Sequence, residues 1–318
     1  MAIVCRDYNS FKINKALGQI DKISTTERLA DEIKYYVDLP SELQKFFPRF
    51  IKGEYRGQGK SHDNKYILTL EYLPYKNLGQ IVFDSKSKPI LEGIVDGIFD
   101  ILEKFKAVST TLHNTSHSCT QMYVDKTERE YHNLIYSSEY FRKLSSVQYI
   151  YFNGEKLLNF QWIWPQIKDK IFTKGFFPRI FYAISGDLCF SNILVHKSGS
   201  DIRFIDPRGS FGEKGVFGDV YYDYAKLLHS LAGYENIIYD KFKLTQRKDN
   251  FNLKFTNNNV NIIKPYFLKH FDRLNADIKK AELISGLIFI GMVFRHKDSL
   301  NRQKAQYLTG LKILNGAL

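Results

Sequence analysis

The stretch Ser185-Gly186-Asp187-Leu188-Cys189-Phe190-Ser191-Asn192, followed by Asp206-Pro207-Arg208-Gly209 with Asp206 fourteen positions after Asn192, decides the reading of this chain. Between the two segments lie Ile193 to His196 and Arg203 to Ile205, both β-branched and apolar enough for strands. Lys197-Ser198-Gly199-Ser200-Asp201 has the composition of a turn between them. If these strands pair antiparallel, the loop before the first and the loop after the second meet at one end of a hairpin, so Asn192 and Asp206 become neighbours. Their amide and carboxylate oxygens are hard ligands that suit Mg²⁺, an ion that keeps several positions for water and phosphate oxygens. Asp187, five residues before Asn192, then faces an acceptor hydroxyl, where it can orient that group and take its proton as a phosphoryl group is transferred.

The rest of the chain is compatible with a two-part organisation. The first 75 or so residues read as short strands around one helix. Strands are expected at Phe11 to Ala16 and Tyr66 to Tyr72. Between them Ser24-Thr25-Thr26-Glu27 has a capping-box pattern, followed by Leu29, Ile33 and Val37 at helical spacing and by Pro40 as a stop. The glycines of Gly53 to Gly59 suggest a turn. From residue 89 the pattern changes to long helices: Pro89 suits a first turn, and Ile94, Ile98, Leu102 and Phe105 mark one apolar face. Further helices are expected at about 126–144, 219–232, 276–293 and 299–314. The expected fold is α+β and bilobal, with residues 1–75 as a small nucleotide-binding lobe and 76–318 as a larger, mainly helical lobe carrying the catalytic loop and the acceptor site.

The motif G-D-x-x-x-x-N with a downstream I-D resembles the signature of the aminoglycoside phosphotransferase and choline kinase family, whose fold is similar to that of protein kinases. GDLCFSNIL with IDPRG looks most like the phosphotransferase-like proteins of bacterial surface-polysaccharide gene clusters. The resemblance implies a catalytic base at Asp187 and magnesium on Asn192 and Asp206. It also implies ATP or GTP as co-substrate and a small hydroxyl-bearing acceptor, a sugar or amino alcohol. In the small lobe it places the phosphate-contacting lysine at Lys15, with Lys12 as its competitor, and Glu32 as the ion-pair partner. Leu70-Glu71-Tyr72-Leu73-Pro74 looks like the hinge, whose Glu71 and Leu73 backbone groups would bond adenine. Two departures stand out: no G-x-G-x-x-G loop precedes Lys15, and Ser185 stands where many relatives have His. Asp219 and Asp223 are assigned to holding the loop and capping the next helix.

Composition narrows the alternatives. With 44% hydrophobic and 25% charged residues the chain is an ordinary globular one. Its longest apolar run, Leu283 to Phe294, is too short and too interrupted to span a bilayer. The N-terminus lacks a signal-peptide pattern, so a cytoplasmic location is expected. Three cysteines without a C-x-x-C pair argue for reduced thiols rather than disulfides. His113, His117 and Cys119 have a spacing that could bind zinc, but no fourth ligand presents itself. Trp162 and Trp164, with Tyr149, Tyr151 and Phe152, suit either an acceptor pocket or core packing. The net charge of +12 would draw phosphates or other polyanions, yet the basic residues are scattered, and nucleic acid is an unlikely partner. It favours an anionic or neutral acceptor over a cationic one. A noncatalytic kinase-like scaffold and a basic nucleic-acid-binding protein are the rival readings.

Overall fold

The computed structural model describes residues 9–57, 65–84, 87–111 and 114–318. Four antiparallel strands form the first sheet: β1 (Asn9–Asn14), β2 (Gln19–Ser24), β3 (Phe50–Arg56) and β4 (Lys65–Glu71), in the order β1-β2-β4-β3. The helix α1 (Arg28–Asp38) lies across it. Lys22 and Gly53 are both register partners of Leu68, so all three stand in one row of the sheet. That row faces α1, because a Cβ placed on Gly53 would lie 2.3 Å from Ile33 Cγ2. Gly53 therefore sits inside a strand rather than in the turn its sequence suggested, and it is the absence of a side chain that lets the helix approach.

Two local expectations in this region are corrected. The strand expected at Phe11 to Ala16 ends at Asn14, and Lys15 sits in the turn that leads into β2. The capping box does not form. Ser24 is the last residue of β2, its hydroxyl accepts from the Thr26 backbone N–H at 3.2 Å, and the helix begins beyond Glu27 without a side-chain cap. A serine hydroxyl satisfies the local turn as readily as a helix end, and the strand's pairing with β4 decides between them. Gln58 and Gly59 of the glycine segment, together with Cys5 and His113, lie outside the described residues.

Beyond β4 a short coil leads to Lys76–Asn77, which pairs with the hairpin strand Ile193–Val195. The helix Lys88–Lys106 follows with Pro89 in its first turn, and it buries Ile94, Ile98, Leu102 and Phe105 as expected. The helix expected at 126–144 is two helices, Lys126–Ser137 and Glu139–Ser145. Ser138 breaks it because its side chain accepts from the Phe141 N–H and starts the second. The helices Val220–Leu231, Ile278–Val293 and Leu300–Gly316 match their expected positions, and the last two pack together as the centre of the helical part. Two more helices, Phe160–Ile171 and Val260–Arg273, were hidden by internal prolines, Pro165 and Pro265. Phe242–Arg247 and Asn250–Phe255 form a hairpin that extends the pair Tyr149–Phe152 and Glu155–Leu158 into a second four-stranded sheet. No helix among the described residues is long and apolar enough to cross a membrane.

The two parts share one hydrophobic core, in which Tyr35, Phe47, Leu68 and Leu70 of the first part pack with Phe105, Ile193, Phe204 and Phe267. Phe47 touches both Phe105 and Phe204 ring to ring, and the Phe204 N–H donates to the Phe46 carbonyl at 2.7 Å. This packing brings the first sheet and α1 onto the segment that carries the Gly-Asp and Ile-Asp motifs.

Candidate active site

The hairpin forms in the expected place: Ile193–Val195 pairs antiparallel with Ile202–Phe204. The Ile205 N–H donates to the Asn192 carbonyl at 3.0 Å, which joins the loop before the hairpin to the loop after it. Asn192 is anchored further by its side-chain amide, which donates to the Asp187 carbonyl at 2.8 Å and leaves Oδ1 for a ligand. Asp206 has a left-handed backbone (φ 53°), the sharp bend by which the chain leaves the hairpin. The Asn192 and Asp206 side chains thus sit on joined loops, and Asp187 lies at the other end of the Asn192 anchor.

The lysine is not the one expected. Lys22 Nζ lies 2.6 Å from Glu32 Oε2 and 2.9 Å from Asp206 Oδ1, so it joins α1 to the Ile-Asp motif. Lys15 is exposed in the β1–β2 turn and Lys12 is exposed on β1, and neither pairs with Glu32 among the described residues. Glu32, expected as the partner of Lys15, pairs with Lys22 instead. Lys12 is the register partner of Asp21, the neighbour of Lys22, so it points to the face of the sheet away from α1. The displacement also enlarges the chain ahead of the lysine. It now includes the β1–β2 hairpin as well as residues 1–8, which lie outside the described residues. Burial opposes the charge of Lys22, but Asp206 and Glu32 outweigh it and raise its pKa; burial pushes Glu32 up to about 7 despite that lysine.

Asp187 has its own cation. Lys226, buried on the helix Val220–Leu231, places Nζ 2.6 Å from Asp187 Oδ1, while the Asp187 side chain keeps 40% of its surface exposed. Burial opposes the Lys226 charge, and Asp187 more than restores it. The same helix builds the loop as the sequence suggested. Asp219 caps it by accepting from the Tyr221 N–H at 3.0 Å, and Asp223 accepts the Ser185 and Gly186 N–H groups at 2.8 Å each. Burial pushes the Asp223 carboxyl up to about 7 against those two donors. Ser185 is buried, and its carbonyl accepts from the Arg208 N–H at 2.8 Å, so this position works through its backbone. Gly209, at φ 68°, lets α1 close on the loop: a Cβ there would lie 2.2 Å from the Asp31 carbonyl oxygen.

At the hinge, the Glu71 N–H donates to the Arg49 carbonyl at 2.9 Å and the Tyr72 N–H to the Gly18 carbonyl at 2.8 Å. The half-buried Leu73 has no hydrogen bond from its backbone N–H to any described residue, which leaves that donor free for a ligand. The aromatic group of the sequence does not assemble into a pocket. Phe152 is buried, Trp164 stacks on Phe160 and donates to Glu128 at 2.8 Å, and Trp162, Tyr149 and Tyr151 are exposed. Among the described residues no three His, Cys, Asp or Glu side chains form a metal cluster. Cys119 and Cys189 are buried and unbridged.

Glu235, which the motif analysis passed over, supports the loop from below. Its Oε1 accepts from the Ser230 hydroxyl at 2.9 Å and the Ser191 N–H at 3.3 Å, while its buried Oε2 has no hydrogen-bond partner among the described residues. Burial pushes its pKa up to about 7. A folded-state pKa above the unfolded value means that the folded chain binds more protons between about pH 4.5 and 7, so this group's contribution to stability is lost as pH rises through that window. Glu32 and Asp223 act with the same sign, and the buried His229, whose pKa burial lowers, acts with the opposite one. The difference between proteins isolates Glu235: in urea denaturation from pH 5 to 7.5, Glu235→Gln should remove about 1–3 kcal/mol of the wild-type loss. Parallel pH profiles would refute this assignment.

No family model matches the chain, and no curated protein matches it in sequence. Solved structures do match in fold. The aminoglycoside phosphotransferase APH(4)-Ia aligns over 93% of this chain and 85% of its own, with a TM-score of 0.54 and 9% identity. The GDP complex of aminoglycoside 2'-phosphotransferase-IIIa aligns over 99% and 90%, with a TM-score of 0.55 and 12% identity. The aminoglycoside phosphotransferase APH(3'')-Id from Streptomyces rimosus aligns over 91% of both chains, with a TM-score of 0.54 and 14% identity. With a sheet-rich first part, a helical second part and a likeness that runs over nearly the whole chain, the protein has the α+β, protein-kinase-like fold of the aminoglycoside phosphotransferases.

Proposed function

We propose that the protein is a small-molecule kinase that transfers the γ-phosphoryl group of ATP or GTP to an alcohol hydroxyl. The observation that carries this reading is the meeting of Glu32, Lys22 and Asp206 in one ion-paired chain beside the loop that holds Asp187 and Asn192. In it, Lys22 fixed by Glu32 contacts the nucleotide phosphates, and the free Leu73 N–H and the neighbouring Glu71 backbone receive the base. Solved structures of the same fold contain ADP with hygromycin B, or GDP, which supports a nucleotide here.

Asn192 and Asp206 would hold magnesium. The donor set fits that ion: Asn192 has an anchored amide with Oδ1 free, the Asp206 side chain is 42% exposed, and two oxygen ligands leave positions for water and phosphate. Bound there, the ion would neutralise charge on the phosphates. Asp187 accepts the acceptor's hydroxyl proton while the hydroxyl oxygen forms its bond to the γ-phosphorus; the bond from that phosphorus to the β–γ bridging oxygen breaks, and the nucleoside diphosphate leaves with the electron pair. Lys226 holds the Asp187 carboxylate in place. Resemblance of GDLCFSNIL and IDPRG to surface-polysaccharide proteins supports a sugar or amino-alcohol precursor as acceptor, in the cytoplasm where such nucleotides are available.

Titration calorimetry of ATP and GTP with Mg²⁺ and with EDTA tests the reading. Binding should weaken by about tenfold or more without the ion, and Asp206→Ala should abolish most of that difference. Absence of nucleotide binding under every condition would leave the noncatalytic scaffold in its place.

A further inference from the structure

The second four-stranded sheet turns one face to the core and the other to solvent. Ile150, Phe152, Leu157, Phe251 and Leu253 are buried in the core, so strand alternation points the residues between them outward. Register sets what that outer face carries. Arg247 pairs with Asn250, Asn250 with Tyr151 and Tyr151 with Lys156, so these residues stand in one row across all the strands of the sheet. Tyr149, paired with Leu158, lies on one side of the row; the pair Thr245 and Asn252, then the pair Lys243 and Lys254, lie on the other. Apart from the half-buried Leu158, every one of these side chains is exposed.

The face therefore holds cations, tyrosines and small polar groups, and no carboxylate. Glu155 pairs with the buried-face residue Phe152 and is held by Lys312 at 2.8 Å, while Asp249 sits in the hairpin turn. Among the described residues Lys156, Lys243, Arg247 and Lys254 form no ion pair; Lys156 Nζ lies instead 4.0 Å from the centre of the Tyr149 ring. No basic run marks this group in the sequence, because its members come from three strands and meet only through strand pairing.

We propose that this face binds single-stranded nucleic acid, with phosphates on Lys156, Arg247, Lys243 and Lys254 and unpaired bases on Tyr149 and Tyr151. The proposal is independent of the kinase reading. Like charges on an open face without carboxylates attract a polyanion. The row of Lys243 and Lys254 stands about 13 Å along the strands from the row of Arg247 and Lys156, at about 3.3 Å per residue, so a chain laid along the strands meets cations at both. The tyrosines decide which polyanion fits. Exposed rings among cations stack unpaired bases of any sequence, a contact closed to a duplex, whose bases are already stacked on one another. Asn250, Asn252 and Thr245 add donors and acceptors for base edges. An anionic bilayer would engage the charges and leave these groups idle.

Fluorescence anisotropy of a labelled, mixed-sequence single-stranded RNA with the full chain tests this. Binding should weaken by about tenfold or more between about 50 and 200 mM salt. Tyr149→Ala with Tyr151→Ala, which leaves the net charge as it is, should weaken it by about tenfold or more, and Tyr149→Phe with Tyr151→Phe, which keeps the rings, by less than about threefold. Lys156→Gln with Arg247→Gln should also weaken binding and flatten the slope of log affinity against log salt by about 1.4, the contribution of two phosphate contacts on a single strand. Lys197→Gln with Lys264→Gln, an equal change of charge at exposed positions elsewhere, should leave the affinity within about twofold. Unchanged melting temperatures show that the variants fold. Absence of RNA binding, full affinity in the tyrosine-to-alanine variant, equal losses in the two pairs of charge variants, or competition by Mg-ADP would overturn the proposal. So would tighter binding of the matching duplex, heparin or phosphatidylserine vesicles than of the single strand. None of these outcomes bears on the kinase reading.

Discussion

Replacing Asp187 by asparagine should lower phosphoryl transfer by about 10²–10⁴ while Mg-nucleotide affinity and folding are nearly retained, because a positioned general base contributes in that range. The substitution keeps the size and polarity of the side chain and removes the basic carboxylate. It also removes the partner of Lys226, whose Nζ is 2.6 Å away and buried. The lysine keeps the amide oxygen as an acceptor, so the structural cost is smaller than for Asp187→Ala, and a comparison of the two melting temperatures separates structure from chemistry. Phosphoryl transfer is loose and leans on positioning, so a loss near the lower end still fits the mechanism. Unchanged turnover in Asp187→Asn, with any acceptor, would remove Asp187 from the reaction.

The second large effect concerns Lys22. Lys22→Met should cut turnover by about 10²–10³, the loss typical of a charged group aimed at the reacting phosphates, whereas Lys15→Ala should stay within about twofold. Stability complicates the reading, since Lys22→Met leaves the buried Glu32 without its ion pair, a change that can cost about 3–5 kcal/mol. Glu32 can relieve part of that cost by protonating, because burial already pushes its pKa up to about 7. Adding Glu32→Gln to Lys22→Met removes the unpaired charge, so the double variant should regain stability and remain inactive. A double variant that regained turnover would mean that Lys22 serves the fold alone. A large loss in Lys15→Ala would return the role to the β1–β2 turn.

Residues that act within a few positions of one another were legible in the sequence. The hairpin between the Gly-Asp and Ile-Asp motifs follows from strand and turn composition, and its geometry makes Asn192 and Asp206 neighbours without further help. Asp219 is a local helix cap, whereas Asp223 reaches Ser185 and Gly186 across 38 and 37 residues and was legible only through the family's G-D-x-x-x-D pattern. The face of the helix Lys88–Lys106 came from 3.6-residue periodicity, and the choice of Glu32 on α1 from the family resemblance.

Choosing the lysine was a different kind of problem. Lys12, Lys15 and Lys22 all lie near one hairpin, and only the pairing of β2 with β4 puts Lys22 in the row that faces α1. Strand side chains alternate, so an error in where the turn falls changes which lysine points at the helix, and a sequence read alone carries no record of that register. The break between β1 and β2 at Gly18, with its positive φ of 61°, was the available signal. The roles of Lys226 and Arg295 were beyond local reasoning altogether. Lys226 pairs with Asp187 and Arg295 with Glu130, partners that lie far from them in sequence and meet them only in the folded core. The sequence by itself determined the hairpin that brings Asn192 beside Asp206, because short-range turns and pairing build it. Tertiary packing alone decided which cations meet Asp187 and Asp206, because a charge's partner depends on what the folded core brings within a few ångströms of it.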